Sequence, residues 1–179
     1  MPEIIALTGY AQSGKDEAAK VLAEYGYEKV SFAEPIRKAL LTLDPIVHDG
    51  LRVSDILDVM SYDAAKTQYP EYRRLLQVFG TEVAREQWAD SFWVDLAFAG
   101  MESDGLYVIT DCRFPNEAAA VRDHGGHIWR IQRHGVGPVN GHASDNLIDS
   151  IAVDITIKND DSLAGFQRNV RSAFRNLVY

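Results

Sequence analysis

Positive charge is in short supply. The 179-residue chain has 18 Lys and Arg against 26 Asp and Glu, a formal net charge of -8 and a pI of about 5.0. No basic run dominates, which argues against a nucleic acid as the main client. Nucleotides remain open, because they need only a few well-placed Arg and Lys. Cysteine is reduced to Cys112, so no internal disulfide can form and a reducing cytoplasm is the expected setting. No apolar run approaches the ~20 residues that cross a bilayer. The opening MPEIIALTGY lacks the basic n-region and longer apolar stretch of a signal peptide, so neither membrane nor export is expected. Internal repeats, low-complexity tracts and domain linkers are missing as well. The Gly-rich HGVGPVNGH (134–142) reads as a mobile loop inside one domain. The histidines, His142 included, show no metal-ligand spacing.

What is present is an ordinary globular balance, 46% apolar and 25% charged, with enough length for one domain and a substantial core. EIIALTG (3–9) is an apolar run read as a buried strand, followed by the helical DEAAKVLAEY. EKVSFA reads as a second strand, broken at Pro35 before the helical IRKALLTL. Residues 44–69 are polar, with a helix expected around Ser54–Met60. A long helix is expected over 70–89 with Pro70 at its start, then another in SFWVDLAFAGM. LYVITD, HIWRIQR and VDITIKN are further strands. NEAAAVRDHGG is a helix stopped by glycine, and SLAGFQRNVRSAFRNLV a last helix with Ser162 as its N-cap. Strands alternate with helices, which predicts an α/β fold with a five-stranded parallel sheet and helices on both faces, in three layers.

Residues 9–16, GYAQSGKD, stand between the first strand and the first helix. Backbone N–H groups of such a turn converge on phosphate oxygens, and the helix N-terminus adds a positive dipole end. Lys15 reads as a surface charge directed at the outer phosphates, with Gly9, Ala11, Gln12, Ser13, Gly14 and Glu17 around it. Asp16 stands where the usual phosphate loop has Ser or Thr. A carboxylate can hold Mg²⁺ directly or through water, and it also suits the first turn of a helix; both readings can hold together. A plain Gly/Ser turn with a surface lysine is the alternative to a phosphate site.

LYVITDCRFPNE (106–117) ends a strand in Asp111. In phosphate-loop enzymes an acid there positions Mg²⁺ or its waters. Arg113 and Asn116 fall just beyond the carboxyl edge of the strand, where open α/β sheets bind ligands. Alternatively Asp111 caps a turn and Arg113 is a solvated partner of Glu117. On an ideal helix, turning about 100° per residue, Arg74, Gln77, Thr81 and Arg85 cluster within about 80°. Leu75, Leu76, Phe79 and Val83 share another, core-forming face. This polar stripe could grip a phosphorylated sugar and its base, or be a solvated face. Gly80 in mid-helix costs about 1 kcal/mol against alanine, which suggests a close approach to the backbone there. Cys112 reads as a buried small hydrophobe, and Phe92, Trp88 and Trp93 as core.

YDAAKTQYPEYRRLLQVFGTEVAREQWADSFWV (62–94), VITDCRFPNEAAAV (108–121), GHASDNLID (141–149), FAEPIR (32–37), ITIKNDDSL (155–163) and the SGKD loop resemble, in order and over nearly the whole chain, the bacteriophage-type deoxynucleoside monophosphate kinase family. The resemblance implies a P-loop NTPase fold like that of adenylate kinases, with ATP and Mg²⁺ as cofactors. It places Lys15 on the donor phosphates, with Asp16 and Asp111 around Mg²⁺. Arg37, Arg74, Arg85 and Arg113 become candidates for the acceptor monophosphate and reaction centre, and Gln77, Thr81, Glu82, Phe32, Asn116 and Trp93 for acceptor contacts. The loop 134–150 becomes a lid with Arg130 and Arg133 at its hinge, and Asn159 and Asp160 lie near the donor base. The lid departs from the family pattern: ASDN carries an acid one methylene shorter than expected, and no arginine lies in the loop itself.

The implied activity is ATP-dependent phosphoryl transfer to a deoxynucleoside 5′-monophosphate, work that needs positioning and charge neutralisation and no nucleophilic side chain. A kinase of another small phosphorylated metabolite and a non-catalytic nucleotide sensor are the competing readings. Several arginines on the acceptor side favour an enzyme. A phage-encoded chain would act in the host cytoplasm; oligomeric state stays open, a homodimer included.

Overall fold

The computed structural model describes residues 3–138 and 147–178. Two compact units emerge: one takes the chain up to Ser31 and from Gly100 onward, the other takes Phe32–Ala99.

The first unit is built on a five-stranded sheet in the order β2-β5-β1-β6-β7. Its strands are β1 (Glu3–Thr8), β2 (Glu28–Val30), β5 (Leu106–Ile109), β6 (His127–Gln132) and β7 (Ile155–Lys158). Every pairing is parallel, as expected from the alternation of strands and helices. Side chains alternate between the faces of a strand. Ile5, Leu7, Val108, Trp129, Ile131 and Ile157 therefore share one face, which is closed by Ala18, Val21 and Leu22 of α1 (Lys15–Ala23) and Phe166, Val170 and Ala173 of the last helix, α8 (Leu163–Val178). On the opposite face α7 (Pro115–Asp123) packs on β1 and β6. Ser162 caps α8 as predicted, its Oγ accepting the Gly165 N–H at 3.2 Å.

The second unit is mainly helical: α2 (Glu34–Leu43), α3 (Val53–Leu57), α4 (Tyr62–Gln68), α5 (Pro70–Gln77) and α6 (Phe92–Ala99). Val53, Ile56, Ala65 and Tyr72 make one of its cores together with Val47. The uncertain stretch 44–69 contains a hairpin, β3 (Ile46–His48) antiparallel to β4 (Leu51–Arg52). It turns at Asp49 (φ 40) and Gly50 (φ 86). Two consecutive left-handed residues are what a tight hairpin turn demands, and Asp-Gly is a preferred pair for it.

The expected continuous helix over 70–89 is not what forms. Pro70 opens α5 as predicted, but Val78–Trp88 is a π-helix. A wheel drawn at the α-helical period loses register there, because a π-helix closes each hydrogen bond over one more residue. The fully buried positions are accordingly Tyr72, Gly80 and Ala84, while Leu75, Leu76, Phe79 and Val83 are half-buried. Gly80 does meet a close approach: a Cβ there would lie 3.0 Å from Ile36 Cδ1. The Trp93 indole N–H also donates to the Gly80 carbonyl at 2.9 Å.

Candidate active site

β1 delivers the chain into a tight loop at its carboxyl end. Gly9 has φ 139, and a Cβ on it would run into the Ile131 carbonyl of neighbouring β6. Gly14 has φ 110, and a Cβ there would sit 2.5 Å from the Asn159 amide nitrogen. Both positions disfavour other residues by conformation, and Gly9 by space as well, since its neighbour is backbone. α1 then starts at Lys15, with its first-turn N–H groups directed back at the loop, the arrangement that favours anions. The Ser13 hydroxyl is buried and has no hydrogen-bond partner among the described residues, a donor left for a ligand to satisfy.

Lys15 is not the surface charge expected. It is 8% exposed, and its Nζ donates to the carbonyls of Gly9 at 2.7 Å and Tyr10 at 2.8 Å. Asp16 is exposed and accepts a charged hydrogen bond from Lys29 Nζ at 2.6 Å. That bond, with the positive charges of Lys29, Lys15 and Lys20, outweighs desolvation and holds the carboxyl below its usual range. Glu17 points the other way, accepting from Gln167 of α8 at 2.7 Å, so it braces α1.

Asp111 follows β5 and accepts from Ser31 Oγ at 2.6 Å. Beyond it, Glu117 is 3% exposed and accepts the backbone N–H groups of Arg113 at 2.7 Å and Phe114 at 3.1 Å. The turn that presents Arg113 and Asn116 is thus fixed by a buried carboxylate at the start of α7. Among the described residues no group of three His, Cys, Asp or Glu could form an all-protein metal cage. Mg²⁺ can also be held by only one or two carboxylates, with phosphate and water in its remaining positions; Asp16 at the start of α1 and Asp111 just past β5 are the acids that could serve in that way.

On the β6–β7 side, Asn159 Nδ2 donates to the Ser13 carbonyl at 2.8 Å, binding the end of β7 to the phosphate loop. Asp160 accepts the His134 N–H at 2.6 Å. Arg130 donates to the carbonyls of Ile148 at 2.9 Å and Ile151 at 3.0 Å. Its Nε is buried without a partner among the described residues. Arg133 is exposed, 3.4 Å from the Gln12 carbonyl. Gly9, Ser13, Arg130, Arg133, Ile148 and Thr156 contribute to the walls of a cavity of about 130 Å³. Asp149 lines it too, accepting from the Tyr10 hydroxyl at 2.7 Å, and the two arginines leave the lining net positive, which suits an anion. Of the predicted lid, residues 139–146, His142 among them, lie outside the described residues.

In the second unit the predicted acceptor residues are not equivalent. Arg37 lies over the Tyr62 ring at 5.1 Å and 3.4 Å from Glu34, and its Nε is buried without a partner among the described residues. Tyr72, which sequence reasoning missed, is fully buried with its hydroxyl equally unpartnered. Burial and the nearby Tyr62 push that phenol up to about 12. In PEYRRLL it looks like any core aromatic, and only tertiary packing reveals the unused hydroxyl. Arg85 has an 11% exposed side chain, 3.5 Å from Asp90. Arg74 is outside, in a bidentate contact with Glu71 at 2.8 and 2.7 Å. Gln77, Thr81 and Glu82 are exposed. Phe32 packs on Phe98, and Trp93 is 2% exposed within an aromatic cluster, so both build the core of this unit.

Comparison with known proteins follows this geometry. A family described as deoxynucleotide monophosphate kinase matches residues 48–170. A protein of Acanthamoeba polyphaga mimivirus, provisionally named deoxynucleotide monophosphate kinase, is 25% identical over 198 residues, covering 97% of this chain and 96% of its own. The deoxynucleotide monophosphate kinase of Escherichia phage RB69 is 26% identical over 131 residues, 66% of this chain and 53% of its own. Among solved structures, a dephospho-CoA kinase from Campylobacter jejuni aligns over 98% of this chain and 97% of its own, with 15% identity and a TM-score of 0.48.

Proposed function

We propose a function from one premise: the chain belongs to the deoxynucleotide monophosphate kinase family. It is a phosphotransferase that passes the terminal phosphoryl group of ATP to a deoxynucleoside 5′-monophosphate, giving the diphosphate. The observation that carries this reading is the loop Gly9–Asp16, where two glycines at positive φ, the N-terminus of α1, the Lys15 ammonium and a Ser13 hydroxyl with no partner among the described residues follow one another between β1 and α1.

The proposed residue roles follow from charge and burial. Lys15 leaves the Gly9 and Tyr10 carbonyls for the donor phosphates, where both partners of the contact are charged. Arg113, presented by the turn that Glu117 fixes, and Arg133 answer charge on the transferring group. Arg130 and the Asn159–Asp160 end of β7 support the donor nucleotide. A divalent cation held by Asp111 and Asp16 would neutralise the phosphoryl oxygens during transfer. Arg37 and Tyr72 receive the acceptor monophosphate, since both hold buried donors that nothing in the described protein satisfies; Arg85 supports them, and exposed Arg74, Gln77, Thr81 and Glu82 contribute at the surface. Viral and phage relatives support action in a host cytoplasm, and the scarcity of positive charge supports a small-molecule client over nucleic acid.

A coupled ADP-release assay across the four common deoxynucleoside monophosphates tests the reading. Turnover with at least one of them is expected. ATP binding without turnover on any would point to a sensor, and turnover confined to another phosphorylated metabolite would move the substrate class.

A further inference from the structure

Asp16 sits awkwardly in a phosphate cradle. A carboxylate there repels a triphosphate, and the loop's own cation, Lys15, is turned onto two backbone carbonyls. The charge that answers Asp16 comes from outside the loop. Lys29, near the carboxyl end of β2, reaches it at 2.6 Å. Two residues on, Ser31 donates to Asp111 at 2.6 Å. Lys29 in β2 and Ser31 just past its end thus serve both candidate metal acids, a cation on one and a hydroxyl on the other. Both partners of the ion pair are exposed, at 54% and 76%. Such pairs add little to stability, so upkeep of the fold is a weak reason for this one.

The geometry points to Lys29 as a charge-balancing residue of the donor site, with Lys29 and a divalent cation as alternative partners of Asp16. This rests on the reading of Gly9–Asp16 as the ATP phosphate site. Without a divalent cation, Lys29 offsets the Asp16 carboxylate and lets the loop accept ATP. With a cation on Asp16, Lys29 is no longer needed there. Its removal should therefore hurt metal-free ATP binding selectively.

The test is calorimetric titration of the full chain with ATP, once in EDTA and once in saturating Mg²⁺. Lys29→Met should weaken ATP binding about three- to tenfold in EDTA and leave it within about twofold in Mg²⁺. Lys29→Arg should keep the wild-type ratio of the two affinities. Lys29→Met/Asp16→Asn should recover metal-free affinity, because the unbalanced carboxylate is gone. Lys66→Met removes the same charge from the other unit and should change neither titration. Equal losses in both conditions, or no loss in EDTA, would overturn the role of Lys29. So would wild-type binding that occurs only with Mg²⁺. Wild-type failure to bind ATP in either condition would overturn the phosphate-site reading itself.

Discussion

In the sheet unit, buried side chains alternate along each strand: Ile5 and Leu7 meet α1 and α8, while Ile4 and Ala6 face the other way. In residues 32–99 the buried set of Tyr72, Gly80, Ala84 and Trp93 follows no single period. The sheet unit places its functional groups on backbone that local chemistry dictates, with Gly9 and Gly14 at positive φ and Lys15 opening a helix. The helical unit instead presents side chains whose polar ends are left over after packing, the Arg37 Nε and the Tyr72 hydroxyl. One proposed site rests on conformation, the other on donors without a partner among the described residues. They should respond differently to substitution.

The largest effect is expected at Lys15. Lys15→Met should lower kcat roughly a hundred- to a thousandfold, the range seen when a preorganised charge partner of a transition state is removed. Since Lys15 is buried and bonded to two carbonyls, the melting midpoint should also fall by about 2–4 °C. Steady-state kinetics and a thermal melt measure both; near-wild-type turnover would remove the loop from the mechanism.

Arg37→Ala should sharpen the contrast. We expect kcat/KM for the deoxynucleoside monophosphate to fall about ten- to a hundredfold, with calorimetric ATP affinity unchanged. Tyr72→Phe should weaken acceptor use by a smaller factor while leaving the free protein as stable or slightly more so, because it deletes a buried hydroxyl with no partner among the described residues. A clear loss of stability in Tyr72→Phe would mean that the hydroxyl is satisfied within the fold.

Trp93→Phe keeps an aromatic ring in the core and removes the N–H held by Gly80. A loss of about 0.5–1.5 kcal/mol is expected for one deleted buried hydrogen bond, read in a denaturant melt. An unchanged midpoint would show that the π-helical turn does not depend on this bond. The smallest effect is expected at Arg74→Ala: its pair with Glu71 lies at the surface, so the thermal midpoint should stay at the wild-type value. Any effect on acceptor kinetics would then report ligand contact and not folding.

The parallel sheet and the phosphate loop were legible because each rests on local signals: apolar runs of strand length, glycines at fixed spacing and a lysine at a helix start. The Asp49–Gly50 hairpin carried an equally local signal within a stretch too polar to show strand alternation. The π-helix was hidden, since a 100° wheel assumes the period it is meant to detect. The contact between Asp16 and Lys29 joins residues on different elements, and neither neighbourhood announces it. The empty valences of Arg37 and Tyr72 are properties of packing, which residue spacing does not encode.

The sole cysteine has a practical consequence for watching this protein work. Cys112 is fully buried, and burial, with the Glu117 and Asp111 carboxylates nearby, raises its thiol far above the usual range. Maleimide dyes attack the thiolate, so the native chain should be silent to them. A single new cysteine in each unit, at exposed positions such as Lys20 and Val59, would then accept dye without the native thiol being removed. Energy transfer between two such dyes could follow the units through a catalytic cycle in an otherwise unaltered chain.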